Sequence, residues 1–181
     1  MREIAARQVA ETVSELCVRA NTVLPDDVKA AICRARETEP SPVGAAILGD
    51  LKENYEFAQA RALPICQDTG MAVVFVDWGQ DCHLTGGALE DAVNAGVERG
   101  YVDGRLRLSV VGDPLRRVNT NTNTPAVVHL RMVPGDEVHI TVAPKGFGSE
   151  NMSSLRMFNP SVTPREVEDH IVACVERAGS N

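Results

Sequence analysis

The sequence lacks an apolar run long enough to cross a membrane, and it lacks an excess of positive charge. A transmembrane helix needs roughly 18 apolar residues in a row, and no stretch of this chain approaches that length. The N-terminus has acidic residues and helical spacing where a signal peptide would need an uninterrupted apolar segment. The formal net charge of −7 disfavours binding to nucleic acid or to an anionic membrane. We therefore expect a cytoplasmic protein with neither kind of partner.

Paired cysteines are also absent. The cysteines stand at positions 17, 33, 66, 82 and 174 with no CxxC pair, which disfavours both a disulfide framework and a zinc ribbon. Cys17, Cys33 and Cys174 lie in helical patterns beside apolar neighbours, so we expect them to be small buried side chains. Cys66 differs because its neighbours are polar.

The common motifs of nucleotide binding and zinc hydrolysis are missing as well. The sequence contains no GxxxxGK[ST], no GxGxxG and no HExxH. His83, His129 and His139 lie in strand patterns, and His170 lies in a helical pattern. We expect all of them to be structural or solvated rather than metal ligands.

Length and composition fit one globular domain. With 181 residues, of which 44% are hydrophobic and 24% charged, the chain can bury one core and is short for two. We predict a single domain over residues 1–181, helical over 1–60 and α+β over 61–181.

Helical periodicity covers the first part of the chain. Apolar residues recur at helical spacing over 3–20 and again after Pro25. A further predicted helix begins with Ser41 as its N-cap and Pro42 at the first helical position.

Helices are also predicted between and after the strands. One is expected to end at Gly100, because glycine is the usual residue after a helix. The C-terminal one begins at a capping box formed by Thr163 and Glu166.

Strand patterns occupy 71–78, 126–133 and 137–143. Apolar and polar residues alternate in the last of these, as in a half-buried strand. The VPGD stretch at 133–136 predicts a tight turn with Gly135 at positive φ, and so an antiparallel hairpin. The predicted fold class is α+β, with an N-terminal helical layer, a small mixed or antiparallel sheet including this hairpin, and flanking helices.

Three polar stretches adjoin the predicted strands: CQDTG at 66–70, NTNTNTPA at 119–126 and PKGFGSEN at 144–151. In the last one, Lys145 and the glycines let backbone N–H groups approach an anion. The carboxylate of Asp68 disfavours a thiolate at Cys66 unless a positive charge is near, and a metal supplies such a charge. An iron–sulfur cluster with three thiolate ligands leaves one iron open to a substrate oxygen, but one cysteine cannot hold it.

Longer stretches carry a family resemblance. LPICQDTGMAVVFV, GRLRLSVVGDPLRRVNTNTNTPAVVHL, PGDEVHITVAPKGFGSENMS and VERAGSN occur in this order. Together they resemble the α subunit of the iron–sulfur (class I) fumarate hydratases and of the related L-tartrate dehydratases. The resemblance runs along the whole chain, and CQDTG and KGxGSEN are its most specific motifs.

The resemblance implies a hydro-lyase with a 4Fe-4S cluster. It makes Cys66 the first of three cysteine ligands. The second ligand is expected just beyond the AGSN at which the sequence stops, so the chain is similar to the N-terminal part of an α subunit. The other cysteines match no ligand position. A β subunit, an oligomeric assembly and a small dicarboxylate substrate are the implied partners.

The same resemblance assigns the other site residues. Gln67 and Asp68 match catalytic residues beside the open iron, where Gln67 also contacts substrate. Arg107 matches the arginine that binds a substrate carboxylate. The remaining substrate-binding positions are Lys145, Gly146, Gly148, Ser149 and Asn151, with Asn119, Thr120 and Asn123 in a neighbouring polar loop. The proposed base lies in the partner subunit or domain.

Two residues depart from the family pattern. Phe147 stands where many relatives have glycine, which can reposition a backbone donor. Asn121 replaces a glycine in the NTNTNTPA stretch, and asparagine tolerates positive φ well enough to keep the same turn.

The predicted reaction is hydration of fumarate to L-malate, a step of the tricarboxylic acid cycle, with L-tartrate dehydration as the alternative. The 181-residue chain alone is expected to be inactive. A rival hypothesis of another class is a non-enzymatic assembly or redox-sensing module in which Cys66 is an oxidisable thiol.

Overall fold

The structure is a computed structural model that describes residues 1–179, apart from the side chain of Ser149. The last two residues of the VERAGSN stretch therefore lie outside the described residues. Internal contacts divide the chain into two compact units, Met1–Lys145 and Gly146–Asn181. The single domain over 1–181 stays a prediction.

A mixed sheet forms the centre of the first unit. Its strands are β2 (Met71–Gly79), β4 (Val127–Val133) and β5 (Val138–Lys145). β2 lies in the middle, parallel to β4 and antiparallel to β5. The α+β class with a mixed sheet is confirmed.

The predicted hairpin of the last two strands is wrong, because β2 lies between them. Residues 133–137 pass over the end of β2. They accept backbone hydrogen bonds from Gly79, the last residue of β2, and from Gln80 and Asp81 that follow it, with Gly79 N to Glu137 O at 2.9 Å. A Cβ on Gly79 would lie 2.5 Å from Gly135 O. Gly135 has the predicted positive φ, 97°. The turn residue was therefore interpreted correctly, but the strands that it joins are not neighbours.

Two helices cover one face of the sheet. They are α1 (Ala6–Thr22) and α4 (Leu89–Asp103), which pack against each other. Apolar residues of both helices and alternate residues of β2 make one core. Its largest fully buried side chains are those of Val13, Cys17, Val74, Val76, Val93, Val97 and Tyr101.

α4 does not end at Gly100 as predicted but continues to Asp103. Glycine serves the helix packing here, because a Cβ on Gly100 would lie 2.8 Å from the Cβ of Cys17 in α1. One turn earlier, a Cβ on Gly96 would lie 2.5 Å from Ala10 O. These two glycines let α1 and α4 approach closely.

We expect Gly96→Ala to lower the free energy of unfolding by about 1–3 kcal/mol, because the new methyl group meets backbone that cannot move aside. Urea denaturation followed by circular dichroism measures this. Gly49→Ala is the matched control, since the nearest atom there is the Arg36 guanidinium carbon at 3.4 Å. That change should be neutral or stabilise by up to about 1 kcal/mol through helix propensity. Equal effects at both positions would contradict the packing argument.

The remaining elements of the first unit lie around this core. β1 (Arg2–Ala5) and β3 (Cys82–Thr85) form a parallel pair. The helical prediction for 1–60 is thus wrong at its first residues, where a short strand precedes α1. α2 (Asp26–Thr38) packs against α3 (Pro42–Arg61), and the N-cap of α3 is Ser41 as predicted.

The second unit contains a 3-10 helix (Ser149–Met152) and α5 (Pro164–Ala178). The predicted capping box is confirmed: Glu166 N donates to Thr163 Oγ1 at 3.3 Å, and Thr163 N donates to Glu166 Oε2 at 2.8 Å. Across residues 1–179, no helix has the length and apolarity to span a membrane.

Candidate active site

The sheet topology brings the CQDTG stretch, the 119–126 stretch and Lys145 to one edge of the sheet. The CQDTG stretch precedes β2, and the 119–126 stretch precedes β4, which runs parallel to β2. β5 is antiparallel, so its last residue reaches the same edge, where Lys145 pairs with Met71. Parallel and antiparallel pairing together therefore gather segments that are far apart in sequence.

Cys66, Gln67 and Asp68 form an exposed tip of the first segment. The residue before the tip is anchored on both sides, because Ile65 N donates to Asn21 O and Ile65 O accepts from Asn54 Nδ2. The tip is thus held at its start by α1 and α3. Its side chains remain exposed.

The cysteine sulfur lies within a local network of polar groups. Asp68 N donates to Cys66 Sγ at 3.4 Å, and the thiol lies 3.7 Å from Gln67 Oε1. Asp68 Oδ1 accepts a hydrogen bond from Gly70 N at 3.0 Å, and Gly70 has a φ of 60°. The carboxylate is therefore fixed by the turn that leads into β2.

Thr69 joins this segment to the one that carries Arg107. Its hydroxyl donates to Arg107 O at 3.1 Å and accepts from Arg107 N at 2.9 Å. Thr69 O accepts from the buried hydroxyl of Tyr101 at 2.8 Å. Burial also raises the pKa of Tyr101, so this hydroxyl stays a donor. The side chain of Arg107 is exposed, and the hydrogen bonds to Thr69 hold its backbone beside the Cys66–Asp68 tip.

Asn123 joins the 119–126 stretch to the CQDTG stretch and to the backbone that follows Arg107. Its side chain is fully buried, with a relative exposure of 0%. Oδ1 accepts from Ser109 N at 2.7 Å and from Val110 N at 3.3 Å, while Nδ2 donates to Gly70 O at 3.0 Å. Asn123 therefore positions three stretches of backbone. Its predicted role as a substrate ligand stays a prediction.

Asn119 and Thr120 are half-buried and also hold backbone. Asn119 Nδ2 donates to Leu108 O at 2.9 Å, and Thr120 N donates to Val110 O at 3.0 Å. Asn121 has a φ of 61°, which confirms that asparagine keeps the left-handed turn here. The 108–123 stretch is thus an ordered loop, although it has no regular period.

Four of the predicted substrate-binding residues lie in the second unit: Gly146, Gly148, Ser149 and Asn151. Asn151 N donates to Gly148 O within the start of the 3-10 helix. The side chain of Ser149 is outside the described part of the chain. Phe147, which stands at the position of a family glycine, is exposed.

The five cysteines have different environments. Cys17 is fully buried, as predicted, and burial raises its pKa to about 12. The prediction of burial is wrong for Cys33 and Cys174, which are only partly buried beside polar groups. Cys33 Sγ lies 3.7 Å from the Tyr55 hydroxyl.

The strand histidines are exposed, in agreement with the prediction of solvated side chains. His129 stacks on Phe75 with 5.0 Å between ring centroids. Within residues 1–179, no group of three or more His, Cys, Asp or Glu side chains is placed to hold a metal ion.

Comparison with known proteins decides the family. The family model described as fumarate hydratase (fumerase) matches residues 10–181. The chain belongs to the fumarate hydratase family. This agrees with the resemblance carried by CQDTG and KGxGSEN.

Relatives within this family have two kinds of name. A Methanocaldococcus jannaschii protein, provisionally named L(+)-tartrate dehydratase subunit alpha, is 32% identical over 95% of this chain and 62% of its own length. The anaerobic class I fumarate hydratase of Escherichia coli K12 is 35% identical over 70% of this chain and 24% of its own length. An Escherichia coli UTI89 L(+)-tartrate dehydratase subunit alpha is 29% identical over 88% of this chain and 54% of its own length. The chain thus spans under two thirds of each relative.

Two positioning residues of the site were not found by sequence reasoning. Thr69 lies in the CQDTG stretch but was assigned no role, and Tyr101 lies just beyond the predicted helix end at Gly100. The signal available for Thr69 was its place between polar residues and a strand. Nothing in the sequence pairs Tyr101 with it, because that contact depends on how α4 packs.

Proposed function

We propose that this chain is part of a hydro-lyase that adds water to, or removes it from, a small dicarboxylate. The observation that carries the proposal is the junction of the Cys66 tip with the Arg107 segment through Thr69. Through this junction the exposed side chains of residues 66–68, which carry a thiol, an amide and a carboxylate, extend from backbone next to that of Arg107. Fumarate hydration is the reaction we favour, with L-tartrate dehydration as the alternative.

Cys66 fits the role of one thiolate ligand of a 4Fe-4S cluster. Its sulfur is exposed and already accepts a backbone N–H, and hydrogen bonds of this kind tune the sulfurs of iron–sulfur clusters. The further ligands are proposed to come from outside residues 1–179. When bound, such a cluster supplies a Lewis acid that polarises a substrate oxygen.

Arg107 is proposed to bind one substrate carboxylate. A guanidinium offers two parallel N–H donors that match the two oxygens of a carboxylate. The Thr69 hydroxyl binds both the N–H and the carbonyl of Arg107. The backbone from which the guanidinium extends is therefore fixed. This arrangement orients the dicarboxylate relative to the tip.

Gln67 and Asp68 are proposed to contact the reacting part of the substrate. The Gln67 amide can donate a hydrogen bond to a substrate oxygen. The Asp68 carboxylate, held by Gly70 N, can orient the substrate hydroxyl or the water that is added. The base that removes the proton α to a carboxylate is proposed to come from outside the described residues.

The polar loops are proposed to complete the site. Lys145 lies beside the first residue of β2 and adds positive charge for the second carboxylate. Gly146, Gly148, Ser149 and Asn151, in the second unit, are proposed as substrate-binding residues because the family resemblance implies that role. Asn119, Thr120 and Asn123 hold the shape of the neighbouring loop. A β subunit is the proposed partner, in keeping with the alpha-subunit names of two relatives.

The test is the activity of the complete enzyme with fumarate and with L-tartrate, measured for the natural sequence and for Arg107→Gln. We expect this change to raise KM about 10- to 100-fold for the preferred substrate, because it removes a charged bidentate contact. Arg99→Gln, an exposed arginine on α4, is the matched control and should leave KM unchanged. Activity on neither substrate would refute the proposed reaction. An unchanged KM in Arg107→Gln would refute the role of Arg107.

A further inference from the structure

A second cluster of reactive groups lies on α5, within the unit Gly146–Asn181. His170, Cys174 and Arg177 are spaced so that they share one face of the helix. Cys174 Sγ lies 3.5 Å from His170 Nε2, and Arg177 Nη2 donates to the sulfur at 3.3 Å. A thiol is thus placed between an imidazole and a guanidinium.

The segment before α5 adds to this cluster. Arg156 Nη1 lies 3.5 Å from His170 Nδ1, and its guanidinium carbon lies 4.8 Å from the centre of the Phe158 ring. Phe158 in turn meets His170 edge-on, with 5.5 Å between ring centroids. Aromatic contacts therefore hold both the imidazole and a second guanidinium near the thiol.

These neighbours favour the charged form of the thiol. A hydrogen bond from the Ser154 side chain lowers the pKa of Cys174 most, and the hydrogen bond and charge of Arg177 and the charge of Arg156 lower it further, against partial burial. Cys17 in the core shows the opposite shift. Partly exposed cysteines in electropositive surroundings are the reactive ones in proteins.

We propose that Cys174 is a site of reversible modification by small anionic disulfides. The Cys174 thiolate attacks one sulfur of the disulfide, whose S–S bond breaks. A new S–S bond forms to Cys174, and the other half leaves as a thiolate, so no further oxidant is needed. A second thiol reverses the reaction.

The positive charges beside Cys174 favour a disulfide that is negatively charged. Arg156 and Arg177 can bind the carboxylates of an anionic disulfide while its sulfur approaches Cys174. Metal binding is disfavoured by the same two guanidiniums, which repel a cation. The nearby acid, Glu166, is engaged in the capping box with Thr163. This site is independent of the proposed reaction, since it uses none of the residues assigned to that reaction.

The net charge of the chain and the charges around Cys174 predict opposite preferences for the charge of the disulfide, so comparing two reagents tests the proposal. The whole chain carries a formal charge of −7, so attraction at long range favours a cationic disulfide such as cystamine. The cluster favours an anionic one such as glutathione disulfide. The full chain is incubated with each reagent at equal concentration, and mass spectrometry follows the mixed disulfide at Cys174 over time.

We expect Cys174 to react about three- to tenfold faster with glutathione disulfide than with cystamine, since one nearby charge pair changes a rate by about that much. Arg177→Gln should lower the rate with glutathione disulfide by about the same factor and remove the preference. Arg165→Gln is the matched control, because Arg165 lies on the same helix and pairs with Asp169 at 3.0 Å. It should change neither rate.

Ser154→Ala, outside α5, gives a second test in case Arg177→Gln disturbs the helix, and circular dichroism checks the folding of each variant. A lower rate with glutathione disulfide in Ser154→Ala supports the proposal. Equal or faster reaction with cystamine overturns it, as does no reaction at Cys174 in the folded chain. Equal rates in Arg177→Gln and Arg165→Gln also overturn it.

Discussion

Replacing Cys66 by serine in the complete enzyme is expected to lower hydro-lyase activity by at least about 100-fold, because a hydroxyl is a poor substitute for a thiolate at iron. The Cys66 tip is exposed and anchored through its neighbours, so the change should leave the fold intact. Activity and the visible absorption of an iron–sulfur cluster are measured on the same preparation.

Cys33→Ser is the matched control for this experiment. Cys33 is also a free cysteine, but it belongs to α2 and lies beside the Tyr55 hydroxyl of α3. It should keep both activity and absorption. If Cys66→Ser retains an intact cluster, Cys66 is not a ligand, and the redox-sensing interpretation of its thiol gains support.

Replacing Asn123 by alanine is expected to lower the free energy of unfolding by about 3 kcal/mol. Its side chain satisfies two backbone N–H groups and one carbonyl in a fully buried place, and alanine leaves all of them without partners. The contacts that hold the 119–126 stretch against Gly70 and Ser109 should loosen as well. Urea denaturation measures the first effect, and amide hydrogen exchange at Gly70 and Ser109 measures the second.

Asn121→Ala separates this effect from backbone strain. Asn121 has a φ of 61° and Asn123 a φ of 56°, so alanine is equally strained at both positions. Asn121 is exposed, however, and its replacement should cost only about 1 kcal/mol. Similar losses in the two variants would show that strain, not the buried hydrogen bonds, makes Asn123 important.

Local signals in the sequence predicted local structure well. The Ser41 cap, the Thr163 capping box and the positive φ of Gly135 were predicted because each depends on residues within a few positions. The three strands of the mixed sheet were also found from their periodicity. Their partners were not, because alternation shows which face of a strand is buried and not which strand lies beside it.

Predictions that depended on packing failed for a common reason. Gly100 looked like a helix end, but its lack of a side chain serves the contact with Cys17 in another helix. The contacts of Asn123 with Gly70, Ser109 and Val110 were likewise not visible in the sequence, and its predicted contact with substrate stays a prediction. A polar or glycine residue in a sequence signals a special position, and only the fold shows what the position requires.

The central place of β2 has a consequence for how this protein is made. β2 is synthesised well before β4 and β5, yet both of its neighbours come from residues 127–145. The sheet therefore cannot close on the ribosome until Lys145 has been added, since pairing of distant residues is needed. Until then the Cys66 segment lacks the loops that frame it. The backbone around Cys66 therefore reaches its final conformation only after residue 145 has been added.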